Sequence, residues 1–149
     1  MRFQQILVPL DFSSHSAKAL DVAIELAKQF GGRLHLLHSY PIYVGAVSPY
    51  GIVLPESFDR DCREAAQKEI GKWSDKAVAA GVPVETTVTP SAPVEAIERM
   101  VEETGADLVV MGSRGLTGLK HALLGSVTER TLRHVACPIL AVKDGEAES

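Results

Sequence analysis

Aromatic residues make up only 5% of this 149-residue sequence, and it has just two cysteines. Cys62 and Cys137 lie far apart, each in an apolar neighbourhood, and no CxxC or Cys/His ligand spacing accompanies them. That speaks against a structural zinc site and leaves both as buried small hydrophobes of a reducing compartment. Basic residues are not in excess either: 15 Lys plus Arg stand against 19 Asp plus Glu, for a net charge of −4. A long nucleic acid would call for a basic face, so it is excluded as a partner. No apolar run approaches the roughly 20 residues of a membrane span, which excludes insertion by a helix. The opening Met1-Arg2-Phe3-Gln4-Gln5 lacks a signal-peptide h-region, so a cytoplasmic location is expected. Finally, no GxxxxGK[ST] phosphate loop occurs, since Gly71-Lys72 runs into Trp73 inside a helical stretch.

What is present is an apolar fraction of 46%, too high beside so small a net charge for intrinsic disorder. One domain over residues 1–143 is expected, followed by a flexible acidic tail over 144–149. Three of the 19 acids, Asp144, Glu146 and Glu148, fall in that tail, so the body of the chain is close to neutral.

Phe3 to Leu10 reads as a short buried strand ending at Asp11. Ser13 or Ser14 can cap the helix that follows, whose apolar positions Ala17, Leu20, Ala23, Ile24, Ala27 and Phe30 keep the helical period until Gly31-Gly32. Leu34 to His38 is a second strand. Tyr40 to Pro55 is a long loop rich in proline and glycine, holding all three tyrosines. Glu56 to Ala80 predicts the longest helix, with a stripe of Phe58, Cys62, Ala65, Ala66, Ile70, Trp73, Ala77 and Ala80. A third strand spans Val82 to Val88, where Pro83 belongs at its first residues or on an edge. A third helix opens at Pro93, turns Val94, Ile97, Met100 and Val101 inward and closes at Gly105. Asp107 to Met111 is an apolar strand, Ser126 to about His134 a short helix, and Pro138 to Lys143 the last strand.

Strands that are mostly apolar on both faces and alternate with helices predict an α/β fold. The expectation is a Rossmann-like five-stranded parallel sheet in the order 3-2-1-4-5, with four helices covering both faces. Ligands of such sheets bind beyond the carboxyl ends of the strands where strand order reverses, here between strands one and four. After strand one come Pro9 and Asp11; after strand four comes a loop running from Gly112 through Arg114 and Gly115 to Gly125-Ser126. Gly112 lets a ligand approach the backbone. Gly125-Ser126 opens a helix, whose free N–H groups and dipole suit an anion. Between Leu108 and Thr128 there is no acid, while Arg114 and Lys120 add positive charge and could reach phosphates or simply be solvated. Each feature also has a plain structural explanation. Ser126 with Glu129 makes a capping box, Asp11 can be an N-cap, and each glycine can be turn chemistry. Only their convergence on one crevice favours a ligand.

The spacing Gly112-x2-Gly115-x9-Gly125-Ser126 resembles the nucleotide-binding signature of the universal stress protein family. Ile6-Leu-Val-Pro-Leu-Asp11-Phe-Ser13 and the closing Cys137-Pro-Ile-Leu-Ala-Val-Lys143 are similar to that family as well. The resemblance covers essentially the whole chain and implies an adenine nucleotide alpha hydrolase-like domain binding ATP, ADP or AMP, with Mg2+ brought by the phosphates. By position it puts Pro9 and Asp11 near the adenosine end, Met111 and Gly112 behind the ribose, and Gly115, Gly125, Ser126 and Val127 at the phosphates. A main-chain contact to adenine falls at about Ser39, where the family often has an apolar residue. The implied function is a stress-response or regulatory protein acting through nucleotide binding. The alternatives are a slow ATPase and a nucleotide-free dimeric interaction protein. No catalytic triad or paired-carboxylate site is evident, so an enzyme is not the first expectation. Homodimerisation is expected through the last strand, Ile139 to Val142, an apolar edge, and an unidentified protein partner would fit a regulator.

Overall fold

The computed structural model describes residues 2–41, 51, 57–115 and 124–144. They form β1 (Gln5–Pro9), α1 (Ser14–Phe30), β2 (Arg33–Tyr40), α2 (Phe58–Ala79), β3 (Val84–Pro90), α3 (Pro93–Thr104), β4 (Leu108–Gly112), α4 (Ser126–His134) and β5 (Ile139–Val142). All neighbouring strands are parallel, in the order β3-β2-β1-β4-β5 expected from the sequence. Tyr43, Tyr50, Lys120, His121 and residues 145–149 of the acidic tail lie outside the described residues.

Side chains alternate across each strand, so the sheet separates two apolar layers. Ile6, Val8, Leu34, Leu36 and Val110 pack with Leu20 and Ile24 of α1 and with Ile70 and Ala77 of α2. On the other face Leu7, Leu37, Val109 and Met111 pack with Ile97 and Met100 of α3. Covered on both sides, the central strands can be apolar throughout, which explains the near-continuous runs in their sequences. No helix among the described residues is long and apolar enough to cross a membrane.

Several boundaries differ from those read in the sequence. β2 continues through Ser39 and Tyr40 because β3 offers Thr89 and Pro90 in register beside them. β3 in turn begins at Val84, two residues late. Val82 is still occupied with the end of α2, its N–H donating to Ala77 O at 3.0 Å, and Pro83 has no N–H but accepts from Leu34 N at 2.9 Å. On α2 the buried positions are Ala66, Ile70 and Ala77, whereas Ala65 is exposed, a helical step of about 100° away from that face. Cys62 and Cys137 are half-buried rather than buried. Burial pushes the Cys137 thiol pKa up, with Asp107 adding to that effect and a backbone hydrogen bond opposing it. Asp144, expected as the start of the free tail, is held instead. It accepts from Ser14 Oγ at 3.1 Å and lies 3.3 Å from His15 Nε2.

Candidate functional site

The site begins with a missing hydrogen-bond donor. In a parallel strand the N–H and C=O groups of alternate residues face alternate neighbours. Leu10 N donates to Leu37 O of β2, while Gln5 O accepts from Asp107 N beside β4. Even-numbered residues of β1 therefore serve β2 and odd-numbered ones β4. Pro9 is odd and has no N–H, so its deficit falls on the β4 side. The pairing of β1 with β4 covers Ile6↔Leu108 and Leu7↔Val109, whereas that with β2 continues to Pro9↔Leu37. A crevice opens where the switch point was expected.

One wall is the β1–α1 turn. Asp11 Oδ1 accepts from Ser13 N at 3.0 Å, and Ser13 is the residue that caps α1, its Oγ accepting from Ser16 N at 3.2 Å. Ser16 Oγ returns a bond to Ser13 O at 3.0 Å. Asp11 is thus not the N-cap, and its carboxylate is turned toward the opposite wall.

That wall is the β4–α4 connection, where the three glycines have different reasons. A Cβ on Gly112 would lie 2.7 Å from His15 Cβ, so this glycine lets α1 sit against the end of β4. The space its side chain would fill is taken by protein, although the residue also lines the crevice. A Cβ on Gly115 would collide with Asp11 Oδ2, which brings the two walls into contact. A Cβ on Gly125 would lie 3.3 Å from Arg114 Cα.

Gly125, and not Ser126, is the N-cap of α4, with extended φ and ψ of −70° and 162° and no side-chain cap. The expected capping box is therefore absent. Gly125 N donates to Ser113 O at 2.6 Å, and Gly125 O accepts from Glu129 N at 3.0 Å, so the helix proper starts at Ser126. The N–H groups of Ser126, Val127 and Thr128 then have no acceptor within the helix, at the positive end of its dipole. Thr128 Oγ1 donates to Gly112 O at 2.8 Å, which fastens this first turn to the end of β4.

Between the walls lies a cavity of about 970 Å³. Pro9, Asp11, Ser39, Met111 and Gly112 line it from the strand ends. Arg114, Gly115, Gly125, Ser126 and Val127 line it from the connection and α4. Every described residue that the sequence pointed to is therefore brought together. Asp11, expected at the adenosine end, and Gly115, expected at the phosphates, are in contact. Sequence reasoning missed Ser16, Ile97 and Thr128, which also line the cavity. Ser16 is three residues after the cap Ser13, but its hydroxyl donates to Ser13 O, while the Ser13 N–H goes to Asp11, so no capping-box pattern marks it in the sequence. Ile97 was recognised only as core. Glu129, also lining, is drawn toward Arg133, whose Nη2 donates to it at 2.7 Å. Among the described residues no three His, Cys, Asp or Glu side chains converge as a metal cage.

Comparison with known proteins gives a concordant picture. Residues 2–143 match the model of the Universal stress protein family. Universal stress protein YxiE of Bacillus subtilis (strain 168) is 38% identical over 147 residues, spanning 95% of this chain and 99% of the relative. The solved structure of the hypothetical protein MJ0577 is similar with a TM-score of 0.85 at 27% identity, covering 99% of this chain and 100% of that one. A universal stress protein solved in complex with cAMP is similar with a TM-score of 0.73 at 25% identity, covering 97% and 100% of the two chains.

Proposed function

The chain belongs to the universal stress protein family, and from that premise we propose that it binds an adenine nucleotide, ATP in the first place, in the cavity at the switch point. The observation that carries this reading is the uncapped N-terminus of α4 set across the crevice from the Asp11 carboxylate. The two ends ask for different chemistry. Backbone N–H groups at a helix start suit phosphate oxygens, while a carboxylate can only accept and suits the ribose hydroxyls. In this reading ribose and phosphate meet at the contact between Asp11 and Gly115. Toward the strand ends, Ser39 offers main-chain groups to an adenine, while Pro9, Met111 and Gly112 wall the ribose. The N–H groups of Ser126 and Val127 take the phosphates, with Gly125, which has no side chain, allowing their close approach and Arg114 contributing charge. Mg2+ would come with the phosphates and would supply charge neutralisation there. The complex with cAMP formed by a related protein supports the ligand class.

In this reading binding is itself the signal, and the protein is a cytoplasmic regulator with a protein partner rather than an enzyme. A homodimer formed through β5 completes the proposal. This strand ends the sheet, with Leu140 of β5 and Leu132 of α4 exposed. Isothermal titration with Mg·ATP tests the site: saturable heat is expected, and no heat at millimolar ATP overturns it. Phosphate release no faster than in buffer supports binding as the function, whereas turnover abolished by Asp11→Asn would make the protein a slow ATPase. Sedimentation should show a dimer that Leu140→Lys dissociates, and a wild-type monomer at every concentration would refute the edge.

A further inference from the structure

Phe12 separates Asp11 from the cap Ser13, and its φ of 63° is the one positive value among described non-glycine residues. A bulky side chain is rarely found in the left-handed region, because its Cβ crowds the backbone there. Glycine would adopt the same φ freely, so an aromatic residue at this point requires a compensating interaction. The surroundings provide it. The Phe12 ring is stacked on the His38 imidazole, with centroids 4.4 Å apart and planes 26° apart. Its centroid is also 5.3 Å from that of Trp73, at a tilt of 59°.

Both partners are anchored. His38 Nδ1 lies 2.8 Å from Leu10 O, a contact that ties the ring to the turn itself. Trp73 Nε1 donates to Glu69 Oε1 at 3.2 Å along α2. Phe12 and Asp11 therefore point to opposite sides of the chain, the ring into the layer between β2 and α2 and the carboxylate into the crevice.

Resting on the functional reading above, we propose that Phe12 is a positioning residue for the nucleotide site. Its aromatic stack on His38 and Trp73 holds the turn left-handed, so that the Asp11 carboxylate faces Gly115 and the ribose. The Asp11 Oδ1 to Ser13 N hydrogen bond spans this residue, so a change of φ at Phe12 would break it and swing the carboxylate away. The ring packs on His38 of β2 and Trp73 of α2 and does not itself line the cavity, so it acts on the ligand through Asp11.

The test is a double-mutant cycle read by titration with Mg·ATP, with thermal unfolding of each variant recorded beside it. Phe12→Ala keeps the backbone cost and loses the stack, and should weaken ATP binding about tenfold in protein that remains folded. Phe12→Tyr, which keeps the stack, should bind like the wild type. In an Asp11→Asn background the Phe12→Ala change should have no further effect on affinity. If Phe12→Ala lowers only the unfolding temperature, or weakens binding equally with and without Asp11, Phe12 is a core residue and the inference falls. The same holds if Phe12→Tyr binds as weakly as Phe12→Ala. Should Phe12→Ala not fold, Phe12→Leu, which fills the space without the stack, takes its place under the same criteria. A folded wild type that takes up no ATP overturns the functional reading itself, and the inference with it.

Discussion

At the residue scale, the glycines of the signature show how one residue type answers two demands. Gly112 is packed against His15 of α1, and Gly115 against the carboxylate of Asp11. Gly112→Ala should therefore be a stability mutation. Forcing a methyl between a helix and a buried strand end costs about 1–3 kcal/mol, to be read as a lower denaturation midpoint. Gly115→Ala instead displaces the tip of a half-buried side chain, and should leave the midpoint nearly unchanged. Its effect should appear in ligand affinity, weakened about tenfold by the loss of a charged hydrogen bond to the nucleotide. Equal stability losses in the two variants would contradict this division. The sequence could say that both positions lack a side chain. It could not say which neighbour would meet one, because His15 and Asp11 are distant in the chain and near only in the fold.

At the scale of elements, α1 and α4 begin in opposite ways. α1 is capped by Ser13, whose side chain satisfies Ser16 N, and Ser13→Ala should cost about 1 kcal/mol of unfolding free energy. α4 has Gly125 as its N-cap and no side-chain cap, so the N–H groups of Ser126, Val127 and Thr128 are left for water or an anion. The Ser-x-x-Glu pattern at Ser126 is legible as a capping box, but Ser126 is the first helical residue, as the sequence predicts, and the cap position falls to Gly125. The bond from Gly125 N to Ser113 O and the anchoring of Thr128 on Gly112 O set that start. The apolar period located α1 and α3 well, with Gly31 and Gly105 both left-handed at their ends. It was weaker for α2, where Ala65 joined the stripe on paper and is exposed in the fold.

At the scale of the whole molecule, the sheet places a histidine where its charge is unfavourable. His35 on β2 is buried, and desolvation lowers its pKa below the ordinary 6.5; Glu85 acts to raise it and Arg33 to lower it further. Burial favours the neutral ring, whose Nε2 lies 3.1 Å from Gln5 Oε1, while Nδ1, 3.4 Å from Glu85 Oε2, offsets this in part. Below pH 6.5 the unfolded chain takes up a proton that the folded one resists. The stability present above that value is therefore lost as the pH falls toward and through the lowered folded pKa. Denaturation midpoints should drop across this range, and His35→Gln, which cannot titrate, should flatten the drop. A variant with the wild-type slope would assign the pH dependence elsewhere.

The sequence by itself determined the class of fold, and with the first strand at the centre it implied the order of the strands and the crevice on which a ligand site would converge. Periodicity, glycine spacing and the proline of β1 are local properties, and they act over a few residues wherever the chain goes. Only the tertiary structure decided what those residues touch. It set Asp11 against Gly115, gave the space beside Gly112 to His15, passed the cap of α4 from Ser126 to Gly125, and seated Phe12 between His38 and Trp73. Contacts of that kind join residues remote in sequence, and their geometry follows from how two layers of helices close on one sheet.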